Sequence, residues 1–470
     1  CGLEIHTQLN TRRKLFAPSS YSMAAPPNST IAPFDLALPG TEPILNYQAV
    51  YLSLLAATAL NCTINNRSTW DRKHYLYADQ PAGYQITQHF APLATNGQLV
   101  LPDGQSIRIS ELHIEQDTAK TTYMDSSHAN SYIDFNRSNH PLIEIVTQPD
   151  FTTPEGPAAF VQYLQLLFRH LGVSTGELES GAMRVDVNVS VGNNPVRTEL
   201  KNISTLAVMT AAIKAEWARQ CEELDNGREI SFETRGFDGT ATFKLRDKDT
   251  QSDYRYMSDP ELPPLLFTSN ISEQIRAELP ELPMQALDRL LNAADHQLRE
   301  KDAHTLIAYP NLLTYYNKVH KEVAERLSSQ SIVPSSPRIC ANWILNSLLG
   351  IITEHTDSGA SEAQKYVTVE QMADLIVSVD IKEMTPTAGK KVLRNLVQNP
   401  GEQVSIKDLA KTLDVLGGDD HELELVCREA IASNPEKAEQ VAKKPNLVNF
   451  FIGMVMKTTK GRISADKIKE

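Results

Sequence analysis

A chain of 470 residues exceeds one ordinary core, so two or three domains are expected, and 22% charged beside 41% hydrophobic residues excludes wholesale disorder. A formal net charge of −13 excludes nonspecific nucleic-acid binding by the whole surface but allows a local basic face. Five scattered cysteines (Cys1, Cys62, Cys221, Cys340, Cys427), with no Cys-x-x-Cys pair, argue against a disulfide scaffold or zinc ribbon and for a reducing compartment. The longest apolar stretches, 343–352 and 448–456, fall far short of the ~20 residues that cross a bilayer, so no membrane span is expected. The chain begins Cys1-Gly2-Leu3 without methionine, and a preceding segment, a targeting peptide included, is expected to have been removed or left out.

In chain order, strand-like alternations predict strands over 3–8, 105–109, 132–136, 141–146, 183–191, 196–203 and 241–245. Two helices interrupt them, over 154–171 and 205–224, both with apolar residues at 3.6 spacing. Thr153-Pro154-Glu155 reads as an N-cap with proline at the first helical position. After Pro260-Glu261-Leu262-Pro263-Pro264 the strands stop, and residues from Ile271 onward read as successive helices, broken by a polar gap at 353–363 and a turn at Asn399-Pro400-Gly401. Short helices from Asn434-Pro435 and over 446–459 end the chain. The expectation is an α+β protein whose strands lie in its first ~265 residues.

The chemistry sits on those strands. In the run from Met183 to Val191 the alternation puts Arg184, Asp186, Asn188 and Ser190 on one face. Arg197, Glu199 and Lys201 share a face in the same way, as do Glu4 and His6. One such strand is ordinarily the wet side of an antiparallel sheet; several carrying Asp, Glu, His and Arg point instead to a site. In Pro141-Leu142-Ile143-Glu144-Ile145-Val146, a carboxylate sits inside a strand that reads as buried on both faces. It needs an arginine, a metal or a substrate beside it, and a metal or substrate site is the favoured reading. Carboxylates with one imidazole and no thiol suit magnesium better than zinc. There is no Walker loop and no Gly-x-Gly-x-x-Gly, so a nucleotide would have to be held by the sheet. Asp71-Arg72-Lys73-His74-Tyr75 and Tyr84-Gln85-Ile86 put cations beside aromatics, which suits phosphates, although alone each reads as an ordinary loop. From Pro435 onward, lysines and Arg462 outnumber the acids, which reads equally as a nucleic-acid face or a solvated helical surface.

Together these stretches resemble the B subunits of the tRNA-dependent amidotransferases, the GatB family. The resemblance is carried by Gly2 to Asn10, Leu38-Pro39-Gly40, Asp71 to Tyr75, Gly83 to Gln88, Asp134-Phe135-Asn136-Arg137, Pro141 to Val146, Arg184 to Ser190 and Thr198 to Asn202. It continues through Glu233-Thr234-Arg235, Asp253-Tyr254-Arg255-Tyr256, Ala341-Asn342-Trp343 and the stretch from Met454 to Gly461. It implies a cradle domain built on an antiparallel sheet with flanking helices (1–268), a helical domain (269–398) and a small helical tail (399–470). The implied reaction is that of a glutaminyl-tRNA synthase (glutamine-hydrolysing). ATP activates the γ-carboxylate of glutamyl-tRNA(Gln) as an acyl phosphate, and ammonia from a partner amidase displaces the phosphate. Implied cofactors are ATP and Mg2+. Implied partners are an amidase subunit of GatA type, a small third subunit of GatC type or an organelle-specific equivalent, and tRNA(Gln).

By position, the resemblance assigns metal binding to Glu4, His6, Glu115, Gln116, Glu144, Asp186 and Glu199, with Lys120 and Arg184 joining five of these in catalysis. ATP and substrate fall to Arg72, Lys73, Tyr75, Tyr84, Gln85, Asn136, Arg137 and Lys201, and the tRNA body to Lys443, Lys444, Lys457, Lys460 and Arg462. The chain also departs from the family. Its Glu-Glu-Asp-Ala-Gly-Lys run is here Glu115-Gln116-Asp117-Thr118-Ala119-Lys120, so one carboxylate ligand becomes a neutral amide. Ala32 and Asp35 replace a cysteine pair found in some members, which removes the expectation of zinc there. Such drift, seen also at Gln148 and at Met257-Ser258-Asp259, points to an organellar, mitochondrial-matrix member before a bacterial cytoplasmic one. Gln116 favours a competing reading as a noncatalytic tRNA-binding adaptor; the retained acids, Lys120, Arg137 and Arg184 favour the enzyme. A small-molecule ligase would need neither the basic tail nor tRNA.

Overall fold

The computed structural model describes every residue except 23, 124–129, 193–195, 248–253, 356–361, 403, 416–419, 442–444, 460–462, 464–467 and 470. It divides into two compact units, Cys1–Pro283 and Met284–Glu470. The first unit opens with β1 (Gly2–Gln8) and α1 (Tyr47–Ala59). Short strands β2 (Thr63–Ile64), β3 (Arg67–Ser68), β4 (Asp71–His74) and β5 (Tyr84–Thr87) lead to a long hairpin, β6 (Ala94–Val100) and β7 (Ser106–Gln116). Next come β8 (Lys120–Tyr123), β9 (Ser131–Asp134), β10 (Pro141–Thr147), α2 (Gly156–His170), β11 (Met183–Val189), β12 (Thr198–Leu200) and α3 (Leu206–Asp225). Strands β13 (Glu233–Phe237), β14 (Thr242–Asp247), β15 (Met257–Ser258) and β16 (Leu265–Leu266) and helix α4 (Ile271–Glu278) complete it.

Nine strands form the main sheet in the order β14-β13-β12-β11-β1-β10-β7-β6-β2, antiparallel except for the β12–β13 pair. β1 lies near its middle. Its pairing sets Glu4 opposite Val146 and Asp186, and His6 opposite Glu144 and Arg184. Because side chains alternate along each strand, that register sends Leu3, Ile5, Ile143, Ile145, Val185 and Val187 to the other face, all at most 3% exposed. Helix α3 packs on β11 and β14, and α1 on β7. Each fully buried Leu, Ile or Val contributes about 1.5–3 kcal/mol, so the register is fixed by one face while the other is left for chemistry.

Several elements differ from the sequence expectation. Helix α1 was not foreseen: ten of its thirteen residues are buried, so its apolar residues run all round and leave no periodic stripe. Asn46 caps it by accepting from the Gln48 N–H at 3.1 Å. Helix α2 starts at Gly156, with Pro157 rather than Pro154 in its first turn and Glu155 rather than Thr153 at the N-cap; the Thr153 hydroxyl accepts from the Gly156 N–H at 3.2 Å just ahead of it. The segments 71–75 and 84–86 are not loops, since β4 pairs with both β5 and β15.

The second unit is helical among its described residues. Pro310–Ser329 packs on Val369–Asp380, and Gly389 leaves the room that the Trp343 ring fills: a Cβ there would lie 2.8 Å from it. The first compact unit runs on to Pro283, since α4 packs on α1 and Glu278 accepts from the Tyr51 hydroxyl at 2.8 Å. Beyond residue 398, Ile406–Thr412 still packs on Val369–Asp380 and Pro386–Gln398.

One buried ion pair ties the segment after β1 to the loop before β10. Lys14 and Asp35 are 0% and 1% exposed, 2.8 Å apart. Asp35 also accepts from the Ser19 hydroxyl, the Ala32 N–H and the Asn139 amide, and Lys14 donates to the Phe135 carbonyl. Removing one partner strands a charge with no water to solvate it. Lys14→Met is therefore expected to destabilise the first unit by about 3–5 kcal/mol in denaturant unfolding, and pairing it with Asp35→Asn to recover part of the loss. A single variant as stable as the parent would contradict this.

Candidate active site

The polar face of the main sheet carries its chemistry in two adjoining groups. Across β7, β10 and β1 the register sets His113 opposite Glu144, and Glu144 opposite His6. Glu115, two residues along β7, completes the first group. His6 Nε2 lies 3.3 Å from Glu115 and 3.4 Å from Glu144, and His113 Nε2 lies 2.9 Å from Glu144. The second group is Glu4, Asp186 and Glu199 from β1, β11 and β12. Lys201 Nζ is 2.5 Å from Asp186 and 3.6 Å from Glu199, the Asn188 amide donates to Glu4 at 3.0 Å and the Thr234 hydroxyl to Glu199 at 2.9 Å.

The charges respond to one another. Burial alone would lower the His6 pKa, but Glu144 and Glu115 together outweigh it and raise it to about 9. Burial, with the Glu144 charge added, raises Glu115, whereas His6 and His113 outweigh burial at Glu144 and hold it well below the usual carboxylate range. Burial also works against the ammonium groups of Lys73 and Lys201, yet both pKa values are raised, by Glu115 beside the first and Asp186 beside the second. Either trio, His6–Glu115–Glu144 or Glu4–Asp186–Glu199, brings its donor atoms within 4.8 Å of one another. Two carboxylates and an imidazole, or three carboxylates, without a thiol, form a donor set that fits a hard divalent cation. In the first trio, protonated His6 offsets the crowding of Glu115 against Glu144, helped by the neighbouring His113 and Lys73. In the second, Lys201 already supplies a cation.

Beside the first trio is a cavity of about 140 Å3, lined by Lys73, Thr87, Gln88, His89, Glu111, His113, Glu115, Glu144 and Tyr256. Lys73 lies next to Arg72 on β4, so the two face opposite ways. Arg72 lines a separate cavity of about 320 Å3 with Tyr84; it lies 4.2 Å from that ring and is paired with Asp259 at 2.7 Å. Arg72 and Lys73, grouped together by their sequence, thus serve different cavities.

Other expected residues are placed as follows. Gln116 does not join the metal donors. Adjacent strand residues face opposite sides, and its amide accepts from the Ile86 N–H at 2.6 Å and donates to Asn139, away from Glu115. Gln85 donates to the Gln116 carbonyl at 2.6 Å, and Tyr75 is held at its N–H by the Gly83 carbonyl. Asn136 staples a loop, accepting from the Thr30 N–H and donating to the Pro26 carbonyl; Arg137 grips the Thr118 and Ala119 carbonyls. Arg184 donates to the buried Asp117 at 2.8 Å; that carboxyl is held down, against its burial, by Arg184 and Arg137. Lys120 is exposed on the β8–β9 ribbon. Lys457 is exposed at the end of the helix Val448–Thr458, while Lys443, Lys444, Lys460, Arg462 and the motif residue Asp253 lie outside the described residues. Sequence reasoning missed His113, Glu111 and Asp117; the β7 alternation changes phase after Ile109, where the pairing with β10 shifts, so its period did not point to the first two.

The site gathers carboxylates and imidazoles on one sheet face beside the half-buried Lys73, a set of groups suited to catalysis. It lies within residues 1–273, matched by a family model described as the GatB/GatE catalytic domain; a second, described as the GatB domain, matches residues 326–470. The chain belongs to the GatB family, as its motifs implied. It is 40% identical to a Scheffersomyces stipitis protein over 100% of this chain and 93% of that relative. It is 39% identical to relatives in Candida dubliniensis (100% of this chain, 90% of the relative) and Yarrowia lipolytica (98% and 91%). All three carry the name of the mitochondrial glutamyl-tRNA(Gln) amidotransferase B subunit.

The raised His6 pKa has a defined sign. Its stabilising effect is fully present below the unfolded value of about 6.5 and is lost as pH rises through about 9. In chelator, the melting temperature of the first unit should fall between those limits, and His6→Gln should flatten the dependence. A parent chain whose melting is unchanged from pH 6.5 to 9.5 would contradict the pairing.

Proposed function

We propose that this chain is the B subunit of a mitochondrial glutamyl-tRNA(Gln) amidotransferase and performs ATP-dependent amidation of the glutamyl γ-carboxylate on misacylated tRNA(Gln). The observation that supports it best is the half-buried, charged Lys73 sharing one cavity of the catalytic domain with His113, Glu115 and Glu144. Both trios would hold Mg2+, which when bound shields triphosphate charge and stabilises the transferring phosphoryl group. Lys73 then supplies the fixed positive charge at the phosphoryl oxygens, and the cavity walls exclude the water that would hydrolyse an acyl phosphate. In the two half-reactions, a γ-carboxylate oxygen bonds to the γ-phosphorus as ADP leaves. Ammonia then bonds to the carbon of the γ-carboxyl group, phosphate leaves from that carbon, and the nitrogen sheds a proton. The ammonia would come from a partner amidase of GatA type, in a complex with a small third subunit of GatC type or its organellar equivalent. Gln116 no longer favours a noncatalytic adaptor, because its amide faces away from the donor trio.

Glu144→Gln keeps the shape of the side chain and removes its charge. In the assembled amidotransferase, the variant should stay folded by circular dichroism and lose at least about a hundredfold in kcat for amide formation. Near-normal turnover by a folded variant would remove Glu144 from the chemistry.

The tail is proposed to grip the tRNA body through Lys443, Lys444, Lys457, Lys460 and Arg462. Exchanging these for glutamine should lower the slope of log affinity against log salt by roughly one for each phosphate no longer neutralised, leaving kcat at saturating tRNA intact. An unchanged slope would make the tail a packing element, consistent with Phe451 and Val455 lining an apolar cavity of about 330 Å3 with Ala430 and Val441.

A further inference from the structure

The mouth of the Lys73 cavity carries aromatic rings that the reaction described above does not use. His89 and Tyr256 both line it, stacked face to face with centroids 3.7 Å apart and planes 11° apart. Phe90 stands edge-on to both and is 60% exposed, and Tyr254 stands edge-on to Tyr256 with the Lys73 ammonium 4.8 Å from its ring. Among the described residues, neither nitrogen of the exposed His89 ring has a hydrogen-bond partner, so stacking alone orients it. On the other side, Arg255 adopts φ 44°, a left-handed conformation that arginine rarely takes. It is held there by His74, whose N–H donates to the Tyr254 carbonyl at 2.8 Å and whose Nδ1 lies 2.9 Å from the Arg255 carbonyl. The chain thus carries backbone strain and leaves large rings in water at the rim of a cavity whose floor is acidic and whose one lysine sits beneath the rings. Packing alone would bury Phe90.

We infer that the His89–Tyr256 stack is a platform for a purine base, placing the phosphate or ester end of the same ligand toward Lys73. A π-face is what a base needs, and a base laid on the exposed ring of an already stacked pair extends the stack by one layer. The inference rests on the amidotransferase reading for the base's origin. Two sources share the chemistry: the adenine of ATP and the terminal adenosine at the 3′ end of the acylated tRNA. His89 is in this account a substrate-positioning residue and takes no proton.

The test uses the assembled amidotransferase carrying His89→Ala or His89→Phe, with KM measured separately for ATP and for glutamyl-tRNA(Gln). His89→Ala should raise one of the two by about five- to hundredfold with kcat and melting temperature little changed, and His89→Phe should restore most of the loss. A rise for ATP assigns the nucleotide's base. A rise for the tRNA, abolished when equilibrium binding is repeated with tRNA lacking its terminal adenosine, assigns the 3′ end. Both KM values unchanged, or a His89→Phe variant no better than alanine, overturns the platform. If the parent complex makes no amide at all, the functional reading fails instead. Equilibrium binding of ATP and of deacylated tRNA to parent and His89→Ala complexes then still decides the platform: loss of either supports it, and loss of neither refutes it.

Discussion

Carboxylates from β1, β7, β10, β11 and β12 share one sheet face, and this can persist only with positive charge threaded between them. Two like charges about 4 Å apart repel by roughly 4 kcal/mol at an effective dielectric of 20, a large part of a domain's whole margin of stability. The sheet answers strand by strand: His6 and His113 flank Glu144, Arg184 bonds Asp117, and Lys201 bridges Asp186 and Glu199. A one-residue slip of β1 would carry Glu4 and His6 into the apolar layer and bring Leu3 and Ile5 out. The apolar face therefore sets the register, and the register brings each carboxylate to its cation. Fold and site are one constraint seen from two sides.

The same alternation sorts the cations on β4. Arg72 is committed to Asp259 and Glu261 beside the Tyr84 ring, so its charge is largely neutralised within the protein. Lys73 faces the acidic cavity and leans on an aromatic ring. A flexible ammonium in such surroundings can reorient toward an incoming anion, whereas a guanidinium held by two carboxylates cannot do so without stranding them. Adjacent basic residues that look equivalent in a sequence thus divide into one held by two carboxylates and one that lines the acidic cavity.

How far this was legible depends on the pattern in each strand. The unbroken alternations of β1 and β11 revealed that Glu4 with His6, and Arg184 with Asp186, share a face, but only the register shows which meet across strands. In β7 the buried apolar positions switch midway from Ile107 and Ile109 to Leu112 and Ile114, where the pairing with β10 also shifts. A period-two reading stops there, and His113 is lost with the second half of the strand. Gln116 was misjudged although the rule was available: successive strand residues cannot both reach one ion, so with Glu115 in the trio its neighbour is excluded. Helix α1 was hidden by burial on all sides. Asp117 lies just past the end of β7, where no periodicity speaks for it.

The two donor trios are not equivalent, and the difference lies in what balances each. In the first, part of the counter-charge is a proton on His6, exchangeable with solvent and removed as pH rises through about 9, with His113 and Lys73 beside it. In the second, it is the ammonium of Lys201, tethered by its own side chain and drawn to Asp186 whenever it is not drawn elsewhere. To admit a divalent ion, His6 must release a proton, so occupancy there is linked to pH. Lys201 must instead swing aside while keeping its charge, and so remains available for an anionic substrate oxygen. With Mg2+ held as proposed, one sheet face would carry a site tuned by protonation next to a site tuned by side-chain position. The substrate's own negative charge favours filling both, because each added anion offsets the repulsion between incoming cations and the resident lysines.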